Sequence, residues 1–376
     1  MGKAIASKYQ PLDAEIDSLL LKGDNPYKIA SQLTRKHPEF SHDGIRNYIR
    51  VHKSNTEHSA LVKECEEVGI PVEQVGIYWH KGKNFSIQVR NKQVSMEEIA
   101  DLIIGEMKNH SPKYPTLKYP KIKDPHLLVI SPADIHIGKL CSAFETGDEY
   151  NHKIAIDRVK QGVTGIVQKA QPYNIDKILF IIGNDILHTD GAKSTTTSGT
   201  FQDTDIMWYD AFTTAYKLYV EVIEMLLTIA PVHIHYNSSN HDFVSGFMLA
   251  QSVQSWFKNC KNITFDIDMK HRKYFGYGKN LIGTTHGDGA KETDLALLMA
   301  HESSSWNSCP HRYVYMHHIH HKKSKDYMSV CVEALRSASG TDSWHHRNGY
   351  QHAPKAIEGF IHHPEYGQVT RITHIF

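Results

Sequence analysis

Disulfide pairs, long apolar runs and an excess of one charge sign are all missing from this 376-residue chain. Its five cysteines, Cys65, Cys141, Cys260, Cys309 and Cys331, are scattered, odd in number and never spaced C-x-x-C. That argues against a disulfide framework and against a thiolate zinc site, and suits a reducing cytoplasm. No apolar run approaches the roughly 20 residues that a membrane helix needs. The N-terminal "MGKAIASKYQPLDAEID" has no continuous apolar core, so neither a secretory signal nor a membrane partner is expected. Lys and Arg total 42 against 41 Asp and Glu, leaving a formal charge of +1. The whole-molecule field therefore does not draw in nucleic acid, and any such binding must come from a local patch. Internal repeats and long low-complexity tracts are absent too.

Histidine is what the chain has in excess, 27 in all. Most of them cannot be ligands, so each histidine motif needs support from its neighbours. Two polar stretches divide the chain: "HKSNTEHS" at 52–59, and the Pro- and Lys-rich "NHSPKYPTLKYPKIKDPH" at 109–126. They predict a module over 1–55, an adaptor and linker over 56–120, and a large domain over 121–376.

In the first segment Leu12, Ile16, Leu19 and Leu20 fall on one helical stripe. "DNPYKIASQLTRK" opens a second helix, with Asn25 as N-cap and Pro26 at the first helical position. "SHDGIRNYIRVHK" forms a third, with Ile45, Tyr48 and Ile49 inward. Three short helices in this order are the layout of a helix-turn-helix. Its third helix would offer Arg46, Asn47, Arg50 and Lys53 to DNA phosphates and base edges. The rival reading is a small helical packing domain with a solvated charged face. In the adaptor, "VGIYWHKGKNFSIQVRN" predicts a hairpin and "VSMEEIADLIIGEMKN" an amphipathic helix.

Beyond residue 121, apolar strand candidates alternate with helices, which indicates an α/β domain with buried sheets. Ligands on such a fold sit where strands end. After "HLLVIS" comes Asp134-Ile135-His136, and after "KILFIIG" comes Asn184-Asp185. "VHIHYNSS" is followed by Asn240-His241-Asp242, and "NLIGTT" by His286-Gly287-Asp288. After "YVYM" come His317, His318, Ile319, His320 and His321. One D-x-H is weak evidence for a metal. Five strand ends in this order, each with oxygen or imidazole ligands, are a strong pattern.

The ordered set resembles the calcineurin-like metallophosphoesterase superfamily, whose pattern is D-x-H, G-D, G-N-H-D, an isolated His, and G-H-x-H. The resemblance covers about residues 125–325, leans toward the DNA-repair exonuclease branch, and toward phage or prophage enzymes with an N-terminal helix-turn-helix. It implies a two-sheet α/β/β/α sandwich over 121–376. It also implies two divalent cations, Mn²⁺ foremost, with Fe, Zn²⁺ or Mg²⁺ as alternatives. Asp134, His136 and His320 would hold one and Asn240, His286 and His318 the other, with Asp185 bridging. Alternation along a strand would turn His318 and His320 to one face. A bridging hydroxide would attack phosphorus, and His241 would protonate the leaving oxygen; the rival role for His241 is to orient a carboxylate. The implied activity is DNA phosphodiester hydrolysis, with DNA as partner, a cytoplasmic setting in a bacterial or phage-infected cell, and a homodimer among the assemblies left open. A phosphomonoesterase acting on a protein or nucleotide, and a DNA-binding regulator without activity, are the other two readings.

This chain departs from the pattern in three places. Asn184 stands between Gly183 and Asp185, Ser239 stands where glycine is usual, and Met316-His317 precedes His318 without a glycine. Ser239 would be strained if that position needs positive φ. His188 and Asp190 are expected to orient ligands or to lie in an exposed loop. The loop "ALRSASGTDSWHHRNGYQH" offers Arg336 or Arg347 to a phosphate and Trp344 or Tyr350 to a base; alternatively its aromatics pack on the core.

Overall fold

A computed structural model describes residues 9–22, 24–49, 77–81, 86–90, 112–350 and 353–376. The chain divides into two compact units, Met1–Val94 and Ser95–Phe376.

In the first unit, α1 (Asp13–Leu21), α2 (Pro26–Lys36) and α3 (residues 42–49) enclose Leu12, Ile16, Ile29, Ala30, Leu33, Ile45 and Ile49. Asn25 caps α2 by accepting from the Lys28 amide at 2.9 Å, and Pro26 occupies the first turn, as the sequence predicts. On α3, Arg46 is half-buried and Asn47 is exposed. Arg50, Lys53 and the helix expected from Ser95 lie outside the described residues. Strands β1 (Ile77–Lys81) and β2 (Ser86–Arg90) pair antiparallel, as the hairpin pattern predicts.

The second unit is the two-sheet α/β/β/α sandwich, in which the first helix among the described residues is the single turn α4 (Ala143–Thr146). One sheet has six strands: β3 (Pro125–Ser131), β4 (Asn174–Gly183), β5 (Val232–Asn237), β6 (Ile263–Asp266), β12 (Ala356–His363) and β13 (Gly367–Ile375). Their order is β13-β12-β3-β4-β5-β6, and β3 to β6 run parallel. The other sheet has five: β7 (Arg272–Tyr277), β8 (Asn280–Thr285), β9 (His311–Met316), β10 (Lys323–Tyr327) and β11 (Val330–Ala334), in the order β10-β11-β9-β8-β7.

Period-two alternation explains how β3 is buried on both faces. Leu128 and Ile130 face α5 (His152–Ala170), α6 (Trp208–Leu227) and α7 (Phe243–Trp256) within one core. Leu127 and Val129 face the other way and meet Ile282, Tyr315 and Phe360 between the sheets. A third core packs α8 (Leu295–Glu302) on the outer face of β8 and β9. Parallel β3, β4 and β5 all end at one edge, and β8 and β9, also parallel to each other, are followed directly by His286 and His317.

Candidate metal centre

At this edge the backbone adopts unusual turns. Among the described residues ten non-glycine positions have positive φ, and six of them are Asp134, His136, Asn184, Asp185, His318 and His320. Asn, Asp and His tolerate the left-handed region better than most side chains, yet each such turn still costs about 1–3 kcal/mol. Their concentration here marks a site held in shape by its surroundings. Gly183, at φ 85°, opens one of the turns; a Cβ there would lie 2.2 Å from the Asn237 carbonyl oxygen. The extra residue Asn184 extends this turn and its carbonyl accepts from the Asp134 amide at 2.7 Å, so the insertion ties the first two motifs together. The Asp185 carbonyl accepts in turn from the His136 amide at 2.9 Å.

Among the described residues the side chains converge in three groups, one of them His136, His188 and His241. Asp134, His136 and His320 bring ligand atoms within 4.8 Å of one another, and so do Asp185, His286 and His318. His136 Nε2 and His320 Nε2 are 3.5 Å apart, and Asp134 Oδ1 is 3.6 Å from His320. His286 Nε2 lies 2.9 Å from Asn240 Oδ1 and 3.2 Å from Asp185 Oδ2. Every residue expected to hold a metal therefore stands at one edge of the sandwich, where strands of both sheets end.

Their chemistry fits cations. Asp134 Oδ1 and His286 Nδ1 are buried without a hydrogen-bond partner, and an orphaned buried polar atom is costly unless something else satisfies it. Burial opposes ionisation of Asp134, but His320, His286 and His317 hold it down at about 2. Burial likewise opposes protonation of His286, but Asp185 and Asp134 raise it to about 9. A cation binding there displaces a proton, so affinity for divalent metal rises with pH.

Four expectations need correction, and one condition is not met. His318 and His320 are not on a strand: β9 ends at Met316, and the two histidines share a side through successive left-handed turns at φ 70° and 57°. Arg336 does not face the site, because its guanidinium pairs with buried Glu358 at 2.5 Å. A buried carboxylate in the middle of β12 needs that partner more than the site does. Asp190 orients no ligand; it caps α7, accepting from the Ser245 amide at 2.8 Å. Ser239 has no positive φ and carries no strain. Its hydroxyl accepts from the Asp185 amide and donates to Asp242 Oδ1, both at 2.7 Å. Arg347 is exposed on α9 (Ser343–Arg347) and does not line the cavity.

Ser239 instead braces the turn that carries Asp185, by way of the Asp185 backbone amide. Ser239→Ala strands the Asp185 amide and removes a donor from Asp242, whose carboxyl burial and the nearby Asp185 raise to about 7. The expected loss is about 1–3 kcal/mol of unfolding free energy, read by urea denaturation.

His188 is buried beside His136 and not in an exposed loop, and two further groups emerge only in three dimensions. His188 Nδ1 lies 3.4 Å from His136 Nδ1, and its carbonyl accepts from His241 Nδ1 at 2.9 Å. His188 thus positions both rings. His317, unassigned by any motif, is buried and bonds Ser131 Oγ at 2.7 Å. Buried Lys139 pairs with Asp342 at 2.8 Å, and Asp342 accepts from His345 Nδ1 at 2.7 Å. Runs of adjacent histidines do signal such groups, though not which member faces inward.

A cavity of about 530 Å³ opens over this centre and is lined by His136, Asp185, Asn240, His241, His318 and His320 among others. No protein-family model matches the chain, and no curated protein matches it. Several solved structures are similar to it. An archaeal phosphodiesterase is 11% identical, over 67% of this chain and 99% of its own, at a TM-score of 0.31. Zinc-complexed Vps29 from Entamoeba histolytica is 12% identical over 66% and 98%, at 0.27. A phosphoesterase-like protein of Streptococcus pneumoniae TIGR4 is 10% identical over 67% and 97%, also at 0.27. Likeness this distant leaves the chemistry to be read from the side chains themselves.

Proposed function

We propose that the chain is a metal-dependent phosphodiesterase of the calcineurin-like metallophosphoesterase type, acting on DNA. The observation that carries this is the meeting of Asp134, His136 and His320 with Asp185, Asn240, His286 and His318 at one edge of the sandwich, with orphaned ligand atoms among them. Two divalent cations suit the mixed oxygen and nitrogen set, Mn²⁺ foremost. When bound, such ions supply Lewis acidity and activate water. The protein's own part is positional. Asp185 is fixed by the His241 amide at 2.9 Å and by Ser239 from behind. His241 Nδ1–H donates to the His188 carbonyl at 2.9 Å, which leaves Nε2 facing outward to hand a proton to a leaving oxygen. DNA as the substrate rests on the N-terminal helices and on Asn47 and Arg46, which α3 carries.

The test compares p-nitrophenyl phosphate, its bis ester, and linear and circular DNA, with Mn²⁺ and with chelator. The bis ester and DNA should be hydrolysed with Mn²⁺ only. Each ion at 100 times its Kd should also add about 2.7 kcal/mol of stability, raising Tm reversibly. Hydrolysis that survives chelation, or preference for the monoester with DNA untouched, would overturn the assignment.

A further inference from the structure

The cavity mouth has a composition that the metal centre does not explain. Among the described residues lining it there is no Lys or Arg. Exposed Glu145 and Asp203 stand there instead. Lys139 cannot serve, being buried beneath and paired with Asp342. A surface that tracks a nucleic-acid backbone needs cations, one per phosphate held. This mouth offers large rings instead. Phe201 and Trp344 both line the cavity, yet are 69% and 61% exposed.

Trp344 does not hang free. Its ring is edge-on to His345 at 5.1 Å and tilted against Tyr350 at 5.6 Å. His345, pinned by Asp342, lies parallel to His320 at 5.0 Å and 12°. A ladder of rings therefore climbs from the floor of the cavity to its rim. Phe201 is anchored by its backbone bridge to Thr195. Braced, solvent-facing rings above a phosphate-sized floor form a stacking platform.

We propose that Trp344 and Phe201 stack on the nucleobase next to the ester phosphate, so that the site takes one unstacked nucleotide at a time and recognises it by its base, not by backbone charge. This rests on the phosphodiesterase reading above. Duplex DNA, whose bases are already stacked, would enter only at a frayed or single-stranded end.

The experiment uses the full chain with Mn²⁺ and two chromogenic diesters with the same leaving group, thymidine 5′-(p-nitrophenyl phosphate) and methyl p-nitrophenyl phosphate. Trp344→Ala should lower kcat/KM for the thymidine ester by about 5- to 150-fold, matching a stacking contribution of about 1–3 kcal/mol. It should leave the methyl ester within about twofold, and Trp344→Phe should restore most of the loss. Phe201→Ala should act in the same direction. In chelator, thymidylyl-thymidine should quench tryptophan fluorescence in the parent protein but not in Trp344→Ala. If the variants treat both esters as the parent does, or quenching persists without Trp344, the proposal is overturned. If instead Trp344→Ala dissociates a dimer in sedimentation, the rings serve an interface between copies and the proposal also falls. If neither ester is hydrolysed by the parent, the phosphodiesterase reading fails, and quenching alone decides whether a base binds.

Discussion

Asp185→Asn should abolish phosphodiester hydrolysis, with kcat down on the order of 10³-fold or more and the fold intact. The substitution is nearly isosteric and keeps an oxygen for the His241 amide, 2.9 Å away. It removes the negative charge that faces His286 at 3.2 Å. Two cations at close range repel, and a shared carboxylate is what makes their spacing tolerable. Calorimetric titration with Mn²⁺ should show the loss directly, as weakened binding or fewer ions bound. An asparagine variant with parental turnover would show that Asp185 bridges nothing.

His241→Ala should lower kcat by about 10²- to 10⁴-fold on DNA while leaving metal binding nearly unchanged. The second half of that expectation follows from the geometry. His241 contacts Asp185 through its backbone amide, which alanine retains. Its ring stacks beside His188 at 5.4 Å and ends in the cavity. An acid that protonates a leaving oxygen matters most when the leaving alkoxide is basic. With a p-nitrophenolate leaving group the defect should therefore shrink by an order of magnitude or more. Equal defects on both kinds of ester, or a defect matched by lost metal affinity, would assign His241 to orienting the carboxylate instead.

The ligands could be read in the sequence because each follows an apolar run that ends abruptly, and parallel strands must end on the same side. That rule puts Asp134, Asp185, Asn240 and His286 at strand ends; the resemblance, not the rule, singles them out as ligands. The rule failed beyond Met316, where the chain leaves the sheet and positive φ, not strand alternation, aligns His318 with His320. Pattern also missed β7, β10, β12 and β13. Strand β10, "KSKDY", is an edge strand without an apolar face. In β12 the buried Glu358 and the adjoining Gly359 break the apolar signal, and only the fold supplies the Arg336 and Arg371 that make that charge tolerable. Whether Ser239 is strained could not be read from the sequence, because a residue type says nothing of its φ. The module boundaries at 55 and 120 and the DNA contacts of Arg46, Asn47, Arg50 and Lys53 remain proposals.

Asp134 and Asp185 ride on the six-stranded sheet, whereas His286, His318 and His320 ride on the five-stranded one. The seam between them is closed by Tyr315 lying flat on Phe360 at 4.0 Å. Close-packed interiors transmit small displacements instead of absorbing them. Sliding one sheet over the other by a fraction of an ångström would therefore shift Asp134 and Asp185 against His286, His318 and His320, and the dry filling of the sandwich doubles as the gauge that spaces these side chains.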